Sequence, residues 1–177
     1  GHHGRFEKHC GYEEALRVSL IMRLPGRIRR GVVKDLTEMI DLPETILDLL
    51  GADPLPVQHG QSLRPYLEGK KMSSPRQYIF SEYLENEEAY IGTERWKFIF
   101  CSGKRARGDG YLIENPTPGR YVRLYDLQQD PGEFTDLSAE HPHVVAQLES
   151  LMLDRFRKTH PEAQAEPSRL DRQEALE

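Results

Sequence analysis

The sequence predicts an α/β chain, in which a strand and helix from a larger sheet precede a small antiparallel sheet packed against a C-terminal helix. Three observations carry this. Arg17-Val18-Ser19-Leu20-Ile21-Met22 is a short β-leaning run closed by Pro25-Gly26, the pattern of a strand buried on both faces. Leu42 to Gly51 has helical periodicity with matching end signals. The second half changes to short aromatic runs separated by turns, followed by a segment with apolar residues at helical spacing.

The helix at Leu42–Gly51 has Pro43 in its first turn, where a missing N–H costs little, and Glu44 beside the positive end of the dipole. Leu42, Ile46, Leu49 and Leu50 fall on one stripe, and Gly51 supplies a left-handed stop. Pro54, Pro56, Gly60 and Pro65 make the next stretch a loop with one short turn near Leu63 to Leu67. A boundary is expected in the polar stretch Gly69 to Pro75. It divides residues 1–70, the end of a larger α/β domain, from residues 76–160, an antiparallel-sheet subdomain, with 161–177 a polar tail.

Strands are expected at Tyr78–Tyr83, Ala89–Thr93, Arg95–Phe100 and Tyr121–Asp126. In the third, Trp96, Phe98 and Phe100 alternate with Lys97 and Ile99, as in a half-buried antiparallel strand. Ser102 to Gly119 reads as a long exposed loop, and Asp130-Pro131-Gly132 as a β-turn. Pro142 opens a helix that ends before Pro161, with Val145, Leu148, Leu151, Met152 and Phe156 on one face.

Composition narrows the function classes. The chain has 177 residues, a net charge of −5 and no basic block interleaved with aromatics, which argues against a nucleic-acid partner. No apolar run approaches the roughly 20 residues of a membrane span. The first residues carry no signal-peptide core, and compartment stays open. Cys10 and Cys101 are expected to be buried and free.

The chemistry-bearing residues cluster at the start: His2-His3-Gly4, then Lys8-His9, then Tyr12-Glu13-Glu14 and Arg17-Val18-Ser19. Further along come Glu38 to Gly51, Gly60-Gln61-Ser62-Leu63, Arg95 to Ile99, and Leu124-Tyr125-Asp126 through Glu133. In this order the pieces resemble the sulfatase family of the alkaline-phosphatase-like superfamily. There, Asp-His-Gly or Asp-Asn-Gly precedes a lysine, a Tyr-Glu-Glu and an Arg-Val-Pro. The likeness covers most of residues 2–156 and implies the C-terminal part of an alkaline-phosphatase-like sulfatase fold.

The resemblance implies hydrolysis of sulfate esters, with a sulfated small molecule or glycan as substrate. It also implies a divalent cation, usually Ca²⁺, whose hard oxygen ligands are carboxylates with an Asn or His. On this pattern Lys8 binds and stabilises the sulfuryl oxygens, His9 lines the substrate pocket, and His3 takes the Asn-or-His metal position. His2 stands where the family has aspartate, a loss of charge and of a hard ligand. Tyr12, Glu13 and Glu14 read as structural, with Arg17 pairing with one of the acids. The family's nucleophile, a formylglycine made within Cys/Ser-x-Pro-x-Arg, has no counterpart in these residues. It is therefore expected in an N-terminal part of the same protein.

Two look-alikes fail. Cys101-Ser102-Gly103-Lys104-Arg105 lacks the proline, and Cys101 to Arg107 is followed by Gly108-Asp109-Gly110 instead of the helix a phosphatase loop needs. Candidate substrate-reading loops are Ser102 to Gly119 and Met72 to Pro75. Two alternatives remain at this point: a phosphate or phosphonate monoester hydrolase of the same superfamily, and a non-catalytic interaction domain with a decayed site.

Overall fold

A computed structural model describes residues 2–4, 8, 10–72, 75–83, 87–103 and 119–159. The order of elements is a 3₁₀ turn (His2–Gly4), α1 (Glu13–Leu16), α2 (Asp41–Leu50), α3 (Arg64–Leu67), β1 (Ile79–Tyr83), β2 (Glu88–Gly92), β3 (Trp96–Cys101), β4 (Tyr121–Asp126) and α4 (Pro142–Thr159). The chain forms two compact units: residues 1–18 with 80–177, and residues 19–79. Thus the first eighteen residues group with the sheet of the second half, whereas the sequence placed them with the segment that follows.

In the sheet unit the strands lie in the order β1-β2-β3-β4, with β2–β3 and β3–β4 antiparallel. The register pairs Tyr90 with Ile99 and Ile99 with Arg123, while Ile91 pairs with Phe98 and Phe98 with Leu124. Alternation then sorts side chains onto two faces. One carries Ile91, Phe98 and Leu124, and α4 packs on β2 and β3 with Val144, Leu148 and Met152 buried. The other carries Tyr90, Ile99 and Tyr125, which form a cluster with Cys10 and Tyr12.

The segment around α1 therefore covers the sheet face away from α4. As a result β3 is buried on both sides, not half-buried as its alternation suggested, and Lys97 is 0% exposed. Gly11 is needed for the close approach: a Cβ there would sit 1.9 Å from the Tyr90 ring. On α4 the buried stripe runs through Val144, one position from the expected Val145.

Residues 19–79 are held differently. Helix α2 forms where expected and ends at Gly51 with φ of 68°. Its buried face, however, is Asp41, Glu44 and Thr45, while Ile46 and Leu50 of the expected apolar stripe are exposed. Asp41 explains the inversion. Its carboxylate accepts the Glu38 N–H at 2.8 Å and the Gln61 N–H at 2.9 Å, and pairs with Arg76. Arg76 also pairs with Glu38 at 2.6 Å.

Thr45 Oγ1 donates to the Asp41 carbonyl at 2.6 Å and accepts the Leu63 N–H at 2.9 Å. Ser62 and Arg64 bond Asp48 at 2.6 and 2.8 Å. The Gly60-Gln61-Ser62-Leu63 turn is thus tied to α2 through polar groups. An open cavity of about 440 Å³ lies beside it, lined by Glu44, Asp48, Gln58 and Ser62 among others.

The expected strand at Arg17–Met22 is not one. These residues have no regular secondary structure, and Ile21 is 91% exposed. A strand without a neighbour has no ladder to join, and the described strands pair only among themselves. Apart from Phe134, every exposed large apolar side chain among the described residues falls between Val18 and Val57. None of the helices in the described part is long and apolar enough to cross a membrane.

Candidate functional site

The N-terminal segment that carries the candidate residues is fixed by its dock on the sheet. Tyr12 is buried, stacks on His3 with centroids 3.8 Å apart, and its hydroxyl accepts a bond from Arg123. Beside it, Glu13 opens α1. Its carboxylate takes the Lys97 ammonium at 2.8 Å, and its backbone N–H donates to Glu133 Oε2 at 2.7 Å. The sequence suggested Arg17 as the acid's partner; Lys97 fills that place because β3 faces α1 directly.

Glu133 is 1% exposed and has a left-handed φ of 54°. Burial pushes its carboxyl up to about 7, against the opposing pull of the Glu13 N–H and Lys97. The turn that presents it is the expected Asp130-Pro131-Gly132, closed by the Glu133 N–H to the Asp130 carbonyl at 3.1 Å.

Above this clamp sit His2, His3 and Glu14. His2 Nδ1 lies 2.9 Å from Glu14 Oε1, and His3 Nε2 lies 3.9 Å from Glu14 Oε2. One ligand atom from each of the three falls within 4.8 Å of the others. The His3 side chain is 8% exposed, and burial holds its imidazole below the usual value despite the nearby Glu14 carboxylate. Its ring also hydrogen-bonds the Gly132 backbone. Phe134 flanks both imidazoles at 5.4 and 5.5 Å.

Of the residues singled out from sequence, the structure brings His2 and His3 together. Lys8 is exposed on a turn of the same segment, and His9 lies outside the described residues. Arg105, Arg107 and nearly all of the loop from Ser102 to Gly119 also lie outside them, as do Ser73 and Ser74 of the second candidate loop and the tail from His160. Cys101 ends β3, and both it and Cys10 are buried and form no disulfide, as expected.

Sequence reasoning missed Glu14, Glu133 and Lys97 as neighbours of the site. Glu14 follows His3 by eleven residues and stood in the sequence only as part of Tyr12-Glu13-Glu14. The contribution of Glu133 depends on bringing together residues 120 positions apart, and nothing local signals that.

The donors offered here do not suit Ca²⁺. That ion takes 6–8 oxygen ligands, whereas this cluster presents two imidazoles and one carboxylate. The nearby Glu13 carboxylate is occupied by Lys97, and Glu133 is held toward its neutral form.

A family model described as "N-sulphoglucosamine sulphohydrolase, C-terminal" matches residues 1–159. An N-acetylgalactosamine-6-O-sulfatase of Bacteroides thetaiotaomicron is 31% identical over 153 residues, covering 82% of this chain and 28% of that protein. A structure solved in complex with its substrate D-glucosamine-2-N,6-O-disulfate superposes with a TM-score of 0.66 at 25% identity, over 90% of this chain and 33% of that one. A phosphonate monoester hydrolase from Silicibacter pomeroyi gives a TM-score of 0.57 at 27% identity, over 77% and 28% of the two chains. The chain spans less than a third of the length of these curated relatives. With the family model matching almost end to end, and with the sheet and C-terminal helix in the order the motifs imply, the chain belongs to the C-terminal family of N-sulphoglucosamine sulphohydrolases, within the sulfatases.

Proposed function

We propose that this chain is the C-terminal part of a sulfatase that hydrolyses sulfate esters on a sulfated glycan. The observation that carries the reading is the family match over residues 1–159, joined to relatives named N-acetylgalactosamine-6-O-sulfatase and Delta 4,5-hexuronate-2-O-sulfatase. In this reading the Lys8 ammonium binds the sulfuryl oxygens and stabilises the charge that builds on them during S–O cleavage. His9 lines the sugar side of the pocket. The α1 segment, clamped by Lys97 and Glu133, holds that loop in register on the sheet. The formylglycine nucleophile and a divalent cation complete the reaction in the parent protein. Because the donors of this chain fit Ca²⁺ poorly, no step is drawn through that ion.

The remainder of the same protein is the partner proposed for residues 19–79. They carry the exposed side chains of Ile21, Val32, Met39, Leu50 and Val57, among others. Exposed apolar side chains concentrated in one unit support an interaction face there. Ser19–Met22, which joins none of the described strands, is the segment proposed to pair with that partner.

The deciding experiment uses the full-length protein with sulfated and phosphorylated forms of one sugar. Sulfate ester turnover, reduced about a hundredfold or more by Lys8→Ala through loss of charge stabilisation, supports the proposal; the isolated chain is expected to show none. The resemblance to a phosphonate monoester hydrolase favours a second reading. Higher kcat/KM on phosphate or phosphonate esters than on sulfate esters would establish it. No turnover of either ester, with no formylglycine in the mass spectrum, would instead identify an interaction domain.

A further inference from the structure

We propose that Arg123 on β4 is a positioning residue for Lys8, acting through Tyr12 at the base of the loop that carries the lysine. The proposal rests on the reading of Lys8 as the anion-binding group and holds for either ester. The imidazole of His3 and the ring of Tyr12 stack with centroids 3.8 Å apart and planes 5° apart. This stack joins two positions nine residues apart in sequence and closes a loop with Lys8 inside it. Closure costs entropy, and a loop whose ends are pinned presents its side chains from a smaller range of positions.

Each half of the stack is anchored on the sheet unit. His3 hydrogen-bonds the Gly132 backbone. Tyr12 is 4% exposed, and its hydroxyl meets the Arg123 guanidinium, which donates to it, and the Tyr125 hydroxyl at 3.5 Å. Arg123 lies opposite Ile99 in the register, on the sheet face that receives the N-terminal segment. Its guanidinium also sits 5.1 Å from the centre of the Tyr121 ring. A planar guanidinium that stacks and donates in fixed directions locates a phenol oxygen better than a flexible ammonium does. The Lys97–Glu13 pair fixes the helix that follows the loop; Arg123 fixes the base of the loop itself. Charge stabilisation by a lysine depends steeply on where its ammonium lies, and a misplacement of about 1 Å costs up to about a hundredfold in rate. Loss of the Arg123 contact therefore loosens the stack and spreads Lys8 over positions away from the sulfuryl oxygens. The consequence falls on the transition state, and so on kcat, with KM little changed.

The test uses the full-length protein and sulfated and phosphorylated forms of one sugar. Tyr12→Phe removes only the hydroxyl, and Arg123→Met only the guanidinium. Each is expected to lower kcat about tenfold with KM within about twofold. The double variant falls no further than either single one, because both act through one contact. Arg123→Lys recovers part of the loss. Arg120→Met, which removes an exposed arginine paired with Glu149, leaves kcat unchanged. Hydrogen exchange on the same proteins gives a readout independent of turnover. The Ala15 and Leu16 amides, which donate to the Tyr12 carbonyl, exchange faster in Arg123→Met, while the β3–β4 ladder keeps its protection. Unchanged exchange at these two amides overturns the proposal. Lys8→Ala separates it from the reading on which it rests. If Lys8→Ala costs about a hundredfold in rate while Arg123→Met and Tyr12→Phe cost nothing, the positioning role is overturned and that of Lys8 stands. If Lys8→Ala costs nothing, the reading of Lys8 fails and the proposal with it. Multiplicative losses in the double variant, or lower stability with the kcat of the folded protein unchanged, show Arg123 to be structural only and also overturn it.

Discussion

Replacing Glu133 with Gln tests the clamp beneath the site. The carboxyl titrates near 7 in the folded chain, against an ordinary value of 4.5, because it is buried. The folded state therefore binds more protons than the unfolded state between these values, and stability must fall as pH rises through that window. This contribution is fully present below about pH 4.5 and is gone above about pH 7. Integrated from about pH 5 to pH 8, the single group removes about 2 kcal/mol. Gln keeps an oxygen to accept the Glu13 N–H but cannot ionise. Urea denaturation at both pH values, followed by the fluorescence of Trp96, the single tryptophan, reads the sheet unit alone. The wild type should lose about 2 kcal/mol more than Glu133→Gln on going to the higher pH. His3, shifted the other way, contributes equally to both proteins and cancels. Equal pH slopes would refute the reasoning, since the carboxyl would then titrate at its ordinary value. A steeper loss in the variant would mean that the Lys97 ammonium outweighs burial.

Three further outcomes follow from packing and polar contacts. Gly11→Ala drives a methyl into the Tyr90 ring and should cost about 2 kcal/mol in the same denaturation assay. Lys97→Met strips Glu13 of its cation and should cost about 2 kcal/mol, with Glu13→Gln in that background recovering part of the loss. Asp41→Ala leaves Arg76 without one carboxylate and two backbone N–H groups without their acceptor. A loss of about 3 kcal/mol is expected within residues 19–79, read as faster hydrogen exchange at the Glu38 and Gln61 amides.

Local chemistry wrote much of this fold into the sequence. The four strands, the Pro142 helix, the Gly51 stop and the Asp130-Pro131-Gly132 turn rest on short-range periodicity and backbone preference, and each formed within a residue or two of its expected place. The ordered motifs from His2 to Glu133 likewise pointed to the family. Tertiary structure decided which face of each element is inside. The α2 pattern marked Ile46 and Leu50 for burial, yet Asp41 and Thr45 turned inward because Gln61, Leu63 and Arg76, distant in sequence, supply their hydrogen bonds. Lys97 looked like the wet side of a strand until α1 brought Glu13 to meet it. Periodicity records that two faces differ, but the partner that covers a face is a long-range fact. For the same reason His2 and His3 could be singled out from the sequence, while their proximity to Glu14 arose only once the chain had folded back.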